Sequence, residues 1–337
     1  MALDILTTAF CGSAFGMALT ASGVHRPDVI ISQLTLSNFH MLESFLTAAA
    51  SSLALVTICQ RLGFIRLPPR SYSPMGILGY LDGNIVGGLT QGAGMALAGS
   101  CPGTVFAQVG AGIQSGLYTL SGLIIGGILW TGILQPYVQS RSAKKEKSTT
   151  PTSLDKRIGI SHIGAVAVVE AIFTTIIVVA VSNSADRTKG LVHPVGGGFL
   201  IAGAQLVSAM LRKTLLGTST AFEEVGNCFW SVVGRGSGGG RTNAVSYRNI
   251  VFVSGMTLGA YLVAMRYPSV SGSEIVVFDR MKVMAGGVLL AVGSRMAGGC
   301  TSGHGISGIS LLSMSSYVTV AAMFTGAIGI ALALADN

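Results

Sequence analysis

The sequence predicts an all-α, polytopic integral membrane protein with inverted repeats and four broken or re-entrant helices meeting at mid-membrane. Three observations predict it. Half of the 337 residues are hydrophobic, only 10% are charged and the mean hydropathy is +0.65, whereas a soluble domain carries about 25% charge. Nine apolar runs, most of them near the ~20 residues that cross a bilayer, follow one another along the chain. Four of these runs stop at Gly, Pro, Ser or Cys and restart as short amphipathic pieces, as membrane helices interrupted at depth do.

The runs lie at about 4–24, 41–60, 75–99, 112–135, 160–182, 196–211, 249–265, 281–299 and 315–335. The first has Asp4 and no Lys or Arg ahead of it. It therefore lacks the basic region of a secretory signal and is expected to be the first membrane element. The first, third, sixth and eighth runs are the broken ones, with restarts at 27–40, 102–111, 218–231 and 302–313. Glycine supplies 47 residues, and the pairs Gly12/Gly16, Gly83/Gly87 and Gly122/Gly126 are read as helix-packing contacts.

The polar stretch SRSAKKEKSTTPTSLDKR at 140–157 divides the halves. Residues 1–139 form a first membrane repeat, 140–157 a cytoplasmic loop, 158–190 a connecting transmembrane helix with an external loop, and 191–337 a second repeat. If each broken element crosses once, the loops at 61–73, 139–157 and 233–248 share a side and hold 3, 6 and 3 Lys/Arg. The opposite loops hold Arg187, Lys189, Arg266, Arg280 and Lys282. Positive charge marks the cytoplasmic side, which places the basic loops and the N-terminus in the cytoplasm of a cell expected to carry the protein in its plasma membrane. The net charge of +8 is spread over loops rather than along one soluble face, so a nucleic-acid partner is not expected. RGSGGGR at 235–241 is linker composition, with no Lys-Ser/Thr after it to make a phosphate loop.

The breaks repeat. Aligned without gaps, Gly87, Gly88, Gly94, Ala98, Gly99 and Cys101 fall on Gly286, Gly287, Gly293, Ala297, Gly298 and Cys300. In the other pair, Gly16, Leu19, His25 and Arg26 fall on Gly203, Leu206, Arg212 and Lys213. Interrupted backbone at membrane depth survives only inside protein or against a wet cavity, and helices restarting there aim their N–H groups inward, which favours an anion. His25, Arg26, Arg212, Lys213 and Arg295 are the candidate pathway cations, with snorkelling to the interface as the competing reading for the four Arg and Lys side chains. Gly99, Ser100, Cys101, Gly299, Cys300, Thr301, Ser302 and His304 are the candidate substrate-binding residues; His304 alternatively hydrogen-bonds a carbonyl beside the break.

A thiol is small, polarizable and a weak donor, so it suits a soft sulfur atom better than a hard oxygen. The substrate inferred from Cys101 and Cys300 therefore carries sulfur. The five cysteines (11, 59, 101, 228, 300) show no CxxC or His/Cys ligand spacing, so neither a disulfide scaffold nor a metal or other cofactor is expected. Glu170, inside the fifth run, is read as paired or at a mouth rather than as a proton carrier.

At these residues the chain resembles the YeeE/YedE-type sulfur-compound transporters that take up thiosulfate. The resemblance spans nearly the whole length, and its most specific parts are Gly-Ser-Cys101-Pro-Gly and Gly-Gly-Cys300-Thr-Ser-Gly-His. It implies an all-helical fold whose central loops meet at mid-membrane and whose cysteine thiols hydrogen-bond the passing thiosulfate, a role that falls on Cys101 and Cys300. Bacterial members commonly carry another cysteine at the first break, where this chain reads Ser22-Gly-Val-His25-Arg26-Pro27. The chain thus departs there from a three-thiol relay. The expected function is a transporter, not an enzyme, that takes up a small sulfur-containing anion, first of all thiosulfate. Its partners are that anion, the lipid bilayer and, as a candidate, a cytoplasmic sulfur-carrier protein. Two alternatives stand beside it: a membrane sulfurtransferase working through a persulfide cysteine, and a carrier or channel for another anion such as sulfate.

Overall fold

A computed structural model describes residues 2–77, 79–142, 152–184, 189–234, 246–271 and 279–335. The linker at 235–241, Arg187 and the 140–157 loop from 143 to 151 lie outside the described residues. Fourteen α-helices and no β-strand occur among them. The first half holds α1 (Ala2–Ala21), α2 (Pro27–Leu34), α3 (His40–Arg61), α4 (Asp82–Ala98), α5 (Thr104–Gly110) and α6 (Gln114–Leu129). A widened turn at Trp130–Leu134 carries α6 into α7 (Gln135–Ser142), and α8 (Leu154–Ile158) follows. Next come α9 (His162–Asn183), α10 (Pro194–Arg212), α11 (Thr220–Val232), α12 (Arg248–Arg266), α13 (Arg280–Met296) and α14 (Met314–Ala335).

Seven helical stretches are long and apolar enough to span a bilayer: α1, α3, the α6–α7 stretch, α9, α10, α12 and α14. The helices before the cysteine breaks, α4 and α13, have 17 residues each, shorter than the usual span. Helix α9 packs on α3 and leaves Ile163, Val168, Ile172, Val178 and Val179 exposed, as a helix does that meets lipid along most of its surface.

The other long helices pack in matched pairs. α1 lies on α12 as α10 lies on α3, and α14 on α4 as α6 on α13, while α4 meets α13 and α1 meets α10 across the centre. Exchanging each first-half helix for its second-half counterpart returns the same set of pairs. Small residues make these approaches possible. A Cβ added at Gly12 or Gly16 would lie 2.0 Å from the carbonyl oxygen of Phe252 or Met256, and one at Gly255 or Gly259 would strike the carbonyls of Ala9 or Ser13. Helices α4 and α13 run antiparallel, with Gly87 against Gly293 and Ala297 and Gly94 against Gly286 and Leu290.

One boundary differs from the sequence reading. The apolar run at 75–99 becomes helical only at Asp82. Pro68, Pro69 and Pro74 remove donors from the segment before it and disfavour helix. The Asp82 carboxylate then accepts the N–H groups of Met75 at 2.6 Å and Ile77 at 2.7 Å, and Asn84 accepts that of Ser73 at 3.0 Å. Residues 62–77 form a strap laid against the second half of the molecule. The end of the divider loop docks there too, with Ser153 bridged to Ser313 and Leu154 N–H on the Leu312 carbonyl at 2.8 Å.

Candidate functional site

Each cysteine break opens with a glycine in the left-handed region, Gly99 at φ 56° and Gly298 at φ 77°. This conformation ends a helix at no steric cost when there is no Cβ. At the first break, Thr104 closes a turn around Cys101. The Cys101 N–H donates to its hydroxyl at 2.9 Å, and the Thr104 N–H and hydroxyl each lie 3.3 Å from the Cys101 sulfur. The Gln108 amide donates to the Gly99 carbonyl at 3.0 Å. Ser100 and Cys101 are buried.

At the second break the chain re-enters as a widened turn, Ser302–Gly308. The Cys300 sulfur lies 3.3 Å from the hydroxyls of both Thr218 and Ser302. Thr218 also donates to the Pro102 carbonyl at 2.9 Å. A hydroxyl has one hydrogen, so Thr218 accepts from the Cys300 thiol while donating to Pro102. That chain of bonds joins the two breaks. Ser302 is the other link: a Cβ at Gly103 would lie 3.4 Å from the Ser302 hydroxyl and 3.7 Å from the Cys101 sulfur. A cavity of about 40 Å³ opens here, lined by Cys101, Gly103, Thr104, Thr301 and Ser302 on one side and by Phe15, Leu19, Phe45, Ile201 and Ile306 on the other.

His304 faces away from the thiols. Its Nε2 lies 3.1 Å from the Ala297 carbonyl and its Nδ1 2.9 Å from the Ser316 hydroxyl. The carbonyl can only accept, so Nε2 carries hydrogen and the ring braces the break. Thr301 accepts from the Gln91 amide at 3.0 Å, tying the second break to the middle of α4. Gly299 touches His304 and the guanidinium of Arg70.

The structure therefore brings Gly99, Ser100, Cys101, Cys300, Thr301 and Ser302 to one centre, with His304 and Gly299 behind it. The five basic residues sit elsewhere. Arg26 pairs with Asp28 at 3.0 Å, and Arg295 pairs with Glu223, which also accepts from Gln135. Arg212 lies over the Phe252 ring, 4.6 Å from its centroid. Lys213 reaches the Phe64 carbonyl at 3.1 Å, and buried His25 meets the Val270 carbonyl at 3.0 Å. Sequence reasoning missed Thr104, Thr218 and Arg70. The hydroxyl-rich start of the third restart was a visible signal for Thr218, whereas Arg70 read as one more loop charge.

The chain is similar to known transporters. It is 24% identical to the "Thiosulfate transporter TsuA" of Spirochaeta thermophila over 335 residues, which covers 93% of this chain and 94% of that one. It is also 33% and 32% identical, over 132 residues, to the "Probable transporter" of two Xylella fastidiosa strains, in each case covering 38% of this chain and 84% of the relative. The family and these relatives are transporters, not enzymes, and with seven spanning-length apolar helices the protein is an integral membrane protein that transports a sulfur-containing anion. Residues 27–329 match the family described as sulphur transport, and the chain belongs to that family.

Proposed function

We propose that the protein takes up thiosulfate across the plasma membrane and passes it by hydrogen bonds from one cysteine thiol to the other, with no covalent step. One observation carries this reading: the two thiol-bearing breaks meet at the centre of the helix bundle, where Thr218 bonds both the Cys300 sulfur and the carbonyl of Pro102, the residue after Cys101. The terminal sulfur of thiosulfate is soft and weakly hydrated, so a polarizable S–H donor replaces its water at little cost, whereas sulfate offers four hard oxygens that a thiol serves poorly. The thiosulfate substrate of the Spirochaeta relative supports the same reading. The matched helix pairs support two repeats, and the single additional span α9 between them inverts the second, so that the breaks enter from opposite faces. Basic loops then lie in the cytoplasm, where a sulfur-carrier protein receives the anion. Arg212 and Lys213, which have no carboxylate partner among the described residues, act on the approaches by long-range attraction. The test is uptake of isotope-labelled thiosulfate into proteoliposomes with sulfate and selenate as competitors. Saturable uptake that sulfate leaves intact is the expected result. A persulfide found on either cysteine after transport, or sulfate carried equally well, overturns it.

A further inference from the structure

The segment at 62–77 brings a cation to the second break, and the reading of Cys300 as a substrate thiol gives it a meaning. Arg70 N–H donates to the Ser313 hydroxyl at 2.8 Å, and Ser315 donates to the Arg70 carbonyl at 3.1 Å, which fixes the backbone where the stem enters beside Gly308. The guanidinium then lies across the mouth of the second break. Its Nη1 donates to the Gly303 carbonyl at 3.0 Å and its Nη2 to the Gly298 carbonyl at 2.8 Å. A guanidinium has five N–H donors, so among the described residues three are left without a protein partner and no carboxylate pairs with it. A Cβ placed on Gly303 would lie 3.4 Å from Nη1 and 3.7 Å from the Cys300 sulfur. The gap between thiol and guanidinium is thus held open by a missing side chain.

We propose that Arg70 is the oxyanion-recognising residue of the Cys300 site, gripping the sulfonate end of the substrate while the thiol takes the sulfur end. An arginine that only tied the strap to the break needs its two carbonyl bonds and nothing more. Spare donors on a permanently charged, planar fork, aimed beside a soft donor, match an anion with one hard and one soft end. Among the described residues Cys101 has no such neighbour, its sulfur being bonded by Thr104 alone, so the two thiols are not equivalent.

The test measures how fast Cys300 of the full-length protein is modified by two methanethiosulfonates of similar size, one carrying a sulfonate and one a quaternary ammonium, with adducts located by peptide mass spectrometry. In the wild type the anionic reagent should react roughly tenfold or more faster, the range of electrostatic focusing in a cleft. Arg70→Gln should bring that ratio near unity, and Arg70→Lys should keep most of it while raising the thiosulfate concentration that half-protects Cys300. An unchanged ratio in folded Arg70→Gln, or unchanged half-protection in Arg70→Lys, overturns the proposal. Because the lysine variant keeps the charge on the strap, its half-protection decides the matter even where the glutamine variant does not fold. If thiosulfate fails to protect wild-type Cys300 while the charge preference still collapses in Arg70→Gln, the thiosulfate reading is lost and the anion-recognising role of Arg70 stands.

Discussion

The two cysteine breaks share a backbone plan and differ in what surrounds the sulfur. Cys101 is held by its own turn, through Thr104, and looks into a cavity walled by Phe15, Phe45 and Ile306. Cys300 is held by one neighbouring hydroxyl, Ser302, and one from a distant segment, Thr218, and stands beside a strap that carries a guanidinium. The two breaks share a left-handed glycine and a thiol; the first is walled by apolar side chains and held locally, and the second is polar and assembled partly from distant segments. On the proposed path a soft anion would meet a different balance of sulfur and oxygen contacts at each station, which would give the path a direction to its affinity even where the scaffold is symmetric.

The largest effect should come from removing the shared element. Cys101→Ala and Cys300→Ala are each expected to cut uptake by roughly 10- to 100-fold, since a hydrogen bond to a charged group contributes about 1.5–3 kcal/mol. Both should keep the wild-type melting temperature within a few degrees, because losing one small buried atom costs on the order of 1 kcal/mol. Wild-type uptake by either variant would sink the thiol path. The comparison sharpens if Cys300→Ala also loses discrimination between thiosulfate and sulfate while Cys101→Ala keeps what remains of it.

The scaffold is less symmetric than its pairing suggests. The α1–α12 contact is glycine on backbone from both sides, whereas on α10 Gly198 meets the Thr47 side chain and the Ser44 carbonyl of α3. A Cβ at Gly16 would lie 2.0 Å from the Met256 carbonyl oxygen, whereas one at Gly198 would lie 2.6 Å from that of Ser44 and 2.5 Å from the Thr47 Cβ, so less has to shift on α10. Gly16→Ala is therefore expected to destabilise by about 3 kcal/mol, seen as a collapse of the monodisperse peak in fluorescence-detected size exclusion. Gly198→Ala should cost less. Equal losses would mean that the two interfaces are equivalent.

Much of this was legible locally. The restarts expected at 27–40, 102–111, 218–231 and 302–313 correspond to α2, α5, α11 and the turn at 302–308; Gly23, Gly99 and Gly298 take the left-handed conformation that ends a helix and Pro27 opens the next one. The packing role of Gly12 and Gly16 was likewise legible. What could not be read depends on distance along the chain. Arg70 meets carbonyls 228 and 233 residues away, and nothing near it distinguishes it from Arg61 or Arg66. The Arg295–Glu223 pair, 72 residues apart, was equally hidden. The start of α4 was misread because Met75 and Ile77 look helical by hydropathy, while their N–H groups are claimed by the Asp82 carboxylate.

A smaller effect probes the link between the stations. Thr218→Val removes the hydroxyl that accepts from Cys300 and donates to Pro102, at a loss of about 1 kcal/mol, so uptake should fall roughly fivefold. Thr104→Val should act at Cys101 instead. If the link matters, the double variant with Cys300→Ala adds nothing to the single one; additive losses would show that Thr218 acts apart from the thiol.

The smallest expected effect lies outside the membrane, where the end of the divider loop docks on the second break. Burial pushes the Asp155 carboxyl up, but bonds from Ser153, the Lys156 N–H and His162 outweigh it and leave its pKa below the ordinary 3.8. A carboxyl depressed in the folded state contributes stability that is present above its unfolded pKa and is lost as pH falls through the folded one. The docked segment should therefore loosen only on the acid side of 3.8, and neutral-pH stability should be unaffected by pH in that region. Asp155→Asn should flatten the acid limb of the thermal-stability profile slightly. The local readout is hydrogen exchange at Leu154, whose N–H bonds the Leu312 carbonyl beyond Cys300. Its acid-induced exchange should accelerate in the wild type while exchange around α5 does not. Acceleration at both breaks together would mean that the loop is not specific to the second station, and would remove one of the differences between them.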